Sequence, residues 1–336
     1  SQMTRGVHGP SWARALQGNG AWFWCSTMDK APWDVRVSCP VLASLEVRRD
    51  MGAFFQPIAQ APRDVTRVVR SWGALVFRWL REFVRGGFVV PKDAAPAHAR
   101  SLPKAKGPAT KGRLVVTHCA LATSEVQKYL CKGAELMADL TIASHGFRDS
   151  SVMCWSQVRK KLDQVRTASM SWVQPVVFEV CKFDFEVFFM SVDQEHIASS
   201  LRWFRECGAK LWGPGGFVRI VKKSSRPEMR ILGQRMIQKS LEWHSPCGVG
   251  AVTRRCGFNR DTVSVGIDRM EEGLRIDCLT PLCCNGGVFR QVRGLAIGSP
   301  WGGSGCRLWS QCCEITSGAW RGYVERVYGG GWCAMR

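Results

Sequence analysis

The chain has 336 residues, 46% apolar and 22% charged, enough to bury a sizeable core and too apolar for disorder along its whole length. Lys and Arg number 47 against 27 Asp and Glu, a formal charge of +20. That excess disfavours a cationic partner and favours a polyanion, either nucleic acid or an anionic membrane surface.

Residues 1 to about 60 show no sustained periodicity and receive no element. From Asp64 to Arg85 the pattern is helical. Val65, Val68, Val69, Trp72, Leu75, Val76, Trp79, Leu80 and Phe83 recur at the helix period, and Arg67, Arg70, Arg78, Arg81 and Arg85 fill much of the rest. Gly86-Gly87 ends it, and Pro91 to Gly112 reads as a linker or exposed basic loop. Leu114–Thr117 is a short β-type run. Ser124–Leu140 predicts a helix with Ser124 as its N-cap, and Val152–Ala168 a second, more polar one. Val176–Val192 is the most strand-like stretch, Glu195–Cys207 is helical again, and Gly213-Pro214-Gly215-Gly216 is a turn. Residues 222–275 are polar, basic and poorly periodic, and are read as an insertion.

Three segments carry chemistry. Asp184 stands in the apolar, β-prone run Val180–Val192, where a carboxylate needs a cation or a hydrogen-bond partner unless it faces water from an edge strand. Gly294 and Gly298 bracket Leu295-Ala296-Ile297 before Ser299-Pro300, a tight loop that lets backbone approach a flat ligand. Leu102-Pro103-Lys104-Ala105-Lys106 and Lys111-Gly112-Arg113 form a basic approach to a strand, suited to phosphates or simply to solvent.

Taken in order, these segments resemble the polymerase core of reverse transcriptases. The matching motifs are a fingers strand with P-K and K-x-R, a palm strand D-x-x-x-x-[FY]-x-S-[IV], and the loop Q-x-x-G-x-x-x-G-S-P. The Gly-Leu-Ala-Ile-Gly-Ser-Pro version is closest to Penelope-like retroelement enzymes, which are related to telomerase. The resemblance runs from about Leu102 to Arg336. It implies an α+β fold with right-hand fingers and a partial palm, an antiparallel sheet with flanking helices. It divides the chain into an N-terminal extension (1–100), a fingers-like part (101–175) and a palm-like part (176–336).

By the same resemblance Asp184 is the first catalytic, metal-holding aspartate, and Phe189 closes off the sugar 2′ position. Lys104 and Arg113 approach the incoming triphosphate; Gly294, Gly298 and Ser299 lie against the templating base, and Gln291 precedes them. The implied reaction is RNA-directed DNA synthesis from deoxynucleotide triphosphates on a primed RNA template. It uses a two-metal Mg²⁺ site, and the expected setting is intracellular and nuclear.

The family's second metal-binding turn, Y-x-D-D, occurs nowhere in these residues. The sequence is expected to stop just short of it and, as written, not to polymerise. Trp301-Gly302-Gly303 stands where the family has L-S-P.

Two further expectations concern cysteine and membrane. Sixteen cysteines scattered from Cys25 to Cys333, with no secretory signal ahead of them, suit a reduced intracellular protein. His244, Cys247, Cys256, Cys278, Cys283 and Cys284 lack the paired C-x-x-C spacing of a zinc site. No run reaches the ~18 uninterrupted apolar residues of a transmembrane helix. The rival reading is a non-catalytic basic remnant that holds nucleic acid through phosphates.

Overall fold

The computed structural model describes residues 24–28, 31–52, 54–85, 96–103, 112–118, 121–145, 155–170, 188–213, 215–222, 242–245, 248–253, 262–284 and 287–317. In chain order the elements begin with β1 (Trp24–Met28), β2 (Ala31–Ser38), α1 (Pro40–Met51), β3 (Phe55–Ala59) and α2 (Pro62–Arg85). Next come β4 (Ala97–Pro103), β5 (Gly112–Thr117), α3 (Ser124–Ser144), α4 (Trp155–Ser169), α5 (Phe188–Ser191) and α6 (Gln194–Trp212). The remainder is β6 (Phe217–Val221), β7 (Glu242–Ser245), β8 (Gly248–Thr253), β9 (Thr262–Gly266), α7 (Arg269–Cys278), β10 (Leu282–Cys284), β11 (Gly287–Gln291) and α8 (Pro300–Ser317).

The fold is α+β. β1 and β2 form a hairpin, five strands order as β3-β11-β10-β4-β5, and four order as β7-β8-β6-β9. The four-stranded sheet is antiparallel throughout. The five-stranded sheet is mixed, because β10 runs parallel to β4 while its other pairings are antiparallel.

Two apolar clusters hold these layers together. The larger gathers the inner faces of α2, α3, α6, α7 and α8 with β6 and β9; Leu130, Met137, Phe204, Ile220 and Trp301 are wholly or almost wholly enclosed in it. The smaller joins Met51, Phe55, Leu114, Val116, Leu282 and Ala296 around the five-stranded sheet. A buried ion pair, Arg307 to Asp139 at 2.6 Å, ties α8 to α3. Removal of either partner there would strand the other charge.

Several expectations need correction. The unassigned region up to residue 60 contains β1, β2, α1 and β3. β3 reads Phe-Gln-Pro-Ile-Ala and lies on a sheet edge, where Pro57 costs no ladder bond but hides the strand signal. Residues 97–103, taken as linker, are β4. Its inward positions are Ala97, Ala99 and Ser101, too small to produce a visible alternation.

Ser124 is the first residue of α3 rather than its cap; Thr123 holds that position and makes no side-chain cap bond. The strand-like stretch ends in one helical turn, Phe188–Ser191, and residues 176–187 lie outside the described residues. Residues 222–275, read as an insertion, include β7, β8, β9 and much of α7, which leaves that reading standing. Among the described residues no helix is long and apolar enough to cross a membrane.

The glycines of α8 are not equivalent. A Cβ on Gly302 would press on the Ala296 carbonyl, and one on Gly305 on Leu295, whereas one on Gly303 would meet nothing within 4 Å. Gly303→Ala should therefore raise stability by about 0.5–1 kcal/mol, read as a higher urea midpoint at unchanged slope.

Candidate functional site

The Gly-rich loop leaves β11, the strand paired with β3, and runs to the start of α8. It is fastened along its whole length. Val292 N–H donates to the Phe54 carbonyl at 2.9 Å, and Leu295 N–H to the Phe189 carbonyl at 2.7 Å. Gln194 Nε2 donates to the Gly294 carbonyl at 2.9 Å, and Arg293 Nε to the Ser191 carbonyl at 3.3 Å. On its other side Val116 N–H donates to the Ile297 carbonyl at 2.8 Å. Leu295 belongs to the larger core and Ala296 to the smaller, so the loop is wedged between the two clusters. Its exposed tip is Gly298.

Two glycines are required by this wedge. Gly294 has φ +68° and Gly298 φ +105°, both in the region that L side chains avoid. A Cβ at Gly294 would overlap the Met190 backbone, and one at Gly298 the Val116 carbonyl.

Three segments singled out by sequence thus meet at one place. These are β5 with Arg113, the turn α5 with Phe189, and the loop with Gly294, Gly298 and Ser299. Arg113 is half-buried in β5 opposite Leu102 of β4. The half-buried ring of Phe189 packs against the larger core while its carbonyl takes the loop's N–H. Gln291 is half-buried, and its Nε2 donates to the Arg293 carbonyl at 2.9 Å. Asp184 and Lys104 lie outside the described residues.

Ser299 is buried, and its hydroxyl is engaged inside the fold. It donates to Asp277 Oδ2 and accepts from Trp301 N–H at 3.1 Å. Sequence reasoning missed Asp277 and its neighbour His118, which follows β5. The signal for Asp277 was present, because it shares the buried face of α7 with Met270, Gly273, Leu274 and Ile276. A carboxylate at an apolar helix position calls for a partner.

His118 Nδ1 stands 3.7 Å from Asp277 Oδ1, too far for a hydrogen bond. Among the described residues neither ring nitrogen of His118 has a hydrogen-bond partner. Burial alone lowers His118 to about 4. Burial raises Asp277 to about 7, against the Ser299 hydrogen bond, which pulls the other way.

Both side chains line a cavity with Gln291, Thr280, Phe55 and Leu295. Its free space of about 10 Å³ is what one water requires. In a hydrolase triad the histidine lies between hydroxyl and carboxylate. Here the carboxylate lies between the other two, so the cluster clamps the loop to α7 and activates no nucleophile. Cys278 beside it is no alternative nucleophile, since burial, and then the Asp277 charge, push its thiol well up.

No protein-family model matches the chain, and no curated protein does. Among solved structures the chain is similar to telomerase from Candida albicans, in complex with the TWJ fragment of telomeric RNA. The TM-score is 0.30 and the identity 10%, over 93% of this chain and 44% of that one. The chain therefore spans less than half of that protein's length, and a superposition of this quality assigns neither fold nor activity.

Proposed function

We propose that the chain holds template and nucleotide in an RNA-directed DNA polymerase of a retroelement. The observation that carries this reading is the meeting of β5, α5 and the Gly294–Ser299 loop through backbone hydrogen bonds. Those are the three segments whose motifs resemble the fingers strand, palm strand and template loop of reverse transcriptases. A rigid loop with an exposed glycine tip, held by bonds that do not depend on ligand, is what a flat base pair can rest against. In this reading the palm and fingers lie on the α+β frame described above, RNA template and DNA primer are the partners, and a deoxynucleotide triphosphate is the substrate.

Magnesium enters this reading through Asp184. Among the described residues no group of three or more His, Cys, Asp or Glu side chains is placed to hold a metal ion. Their part is positioning.

The test is equilibrium binding of a primed RNA template to the full chain, with and without Mg²⁺ and the next complementary deoxynucleotide triphosphate. Tighter binding with the matched nucleotide than with a mismatched one, lost in Asp184→Ala while RNA affinity alone is unchanged, is the expected result. Identical binding under all conditions would leave a basic nucleic-acid-binding remnant and overturn the polymerase reading.

A further inference from the structure

The long helix α2 presents a second surface that the loop does not use. At about 100° per residue, Arg63, Arg67, Arg70, Arg78 and Arg81 fall within about 80° of arc, along a line about 27 Å long. All five are exposed. The opposite side is shut into the protein, with Val76 and Leu80 each 1% exposed and Trp79 and Phe83 buried beside them. Arg67 pairs with Asp64 at 3.0 Å, and the other four form no ion pair among the described residues. Four unpaired guanidinium groups in a row repel one another, an arrangement that a line of phosphates relieves.

At the edge of the row stands Phe77, 55% exposed, with Ala74 one turn before it and Arg81 one turn after. A large apolar ring left in water among arginines suits a base that is free to stack, because bases in a duplex already stack on one another. An anionic membrane is the lesser fit, because the apolar face that would insert is already in the core.

We infer that the outer face of α2 is a binding surface for single-stranded nucleic acid, with the arginine row on phosphates and Phe77 under a base. It is distinct from the loop, and it stands whether or not the chain belongs to a polymerase.

The test is fluorescence anisotropy of the full chain with an oligouridylate of about 20 nucleotides at several salt concentrations, without Mg²⁺ or nucleotide. Replacing Arg63, Arg70, Arg78 and Arg81 together by Gln should flatten the slope of log K against log salt by about 3, at about 0.7 per phosphate contact. The matching four Lys substitutions should restore the slope. Phe77→Ala should weaken single-strand binding about 5- to 150-fold and leave binding to a duplex of equal length unchanged.

An unchanged slope in the Gln variant would overturn the inference. So would a duplex bound as tightly as the single strand, or losses confined to phosphatidylserine vesicles. Circular dichroism checks that the variants are folded; if the fourfold variant is not, Phe77→Ala and Arg78→Gln alone decide. Failure here leaves the nucleotide-dependent test of the loop untouched, and the reverse also holds.

Discussion

Gly294→Ala should lower stability by about 2–3 kcal/mol, a large loss for a single methyl group. Two contributions add. An alanine at φ +68° costs about 1–2 kcal/mol. Its Cβ also meets the Met190 backbone, and no rotamer change can remove backbone from backbone. Either α5 or the loop must move. Leu295 N–H then leaves the Phe189 carbonyl, or Gln194 leaves the Gly294 carbonyl, at about 1 kcal/mol for each bond.

A urea titration of the variant beside Gly303→Ala makes the contrast direct, since the same chemical change at an open helical site is expected to stabilise. Equal small effects at both positions would show that the loop is not seated on α5. Under the proposed function, Gly294→Ala should also abolish the preference for the matched nucleotide at temperatures where the chain remains folded.

That contrast also shows what the sequence makes legible. The long helices declare themselves, because α2, α3 and α6 each alternate polar and apolar residues at the helix period over several turns. The two glycines are legible as a tight loop, and the reason for each, one backbone pressed on another, is a tertiary fact. β3 and β4 escape notice because each is defined by its partners, β3 by β11 and β4 by β5 and β10, and their own residues carry little alternation.

Phe188–Ser191 is β-prone in composition, yet it turns helical just before Asp193. That residue starts α6 by accepting from Glu195 N–H at 2.7 Å, so the cap and the core contact of Met190 override propensity there. His118 and Asp277 lie 159 positions apart, and neither belongs to a recognisable motif. Only the tertiary fold, which sets the C-terminal end of α7 beside the residue that follows β5, brings them together.

That pair sets the second expectation: mirror-image pH profiles in two variants around a flat parent. In the unfolded chain an aspartate titrates near 3.9 and a histidine near 6.5. In the folded chain Asp277 holds its proton up to about 7, and His118 takes none until about 4. Between pH 4 and 6.5 each state therefore carries one proton on the pair, on Asp277 when folded and on the histidine when unfolded. Equal proton counts mean that the pair adds no slope to stability in that window.

Asp277→Asn keeps an acceptor for Ser299 and removes one titration. The unfolded state then binds the extra proton on the histidine, so stability should rise with pH from 4 to 6.5, by on the order of 3 kcal/mol at full shift. His118→Gln leaves only Asp277. The folded state then binds the extra proton, and stability should fall as pH rises from about 4 to 7, by about 4 kcal/mol.

The measurement is urea unfolding at half-unit pH steps, with the parent curve subtracted so that all other groups cancel. Two flat difference curves would mean that both side chains are solvated in solution, and the clamp on Ser299 would go with them. Opposite slopes would place a neutral imidazole and a protonated carboxyl beneath the loop at mildly acid pH. The seat of Gly294–Ser299 would then keep one charge state through the mildly acid range and change it near pH 7, where Asp277 ionises.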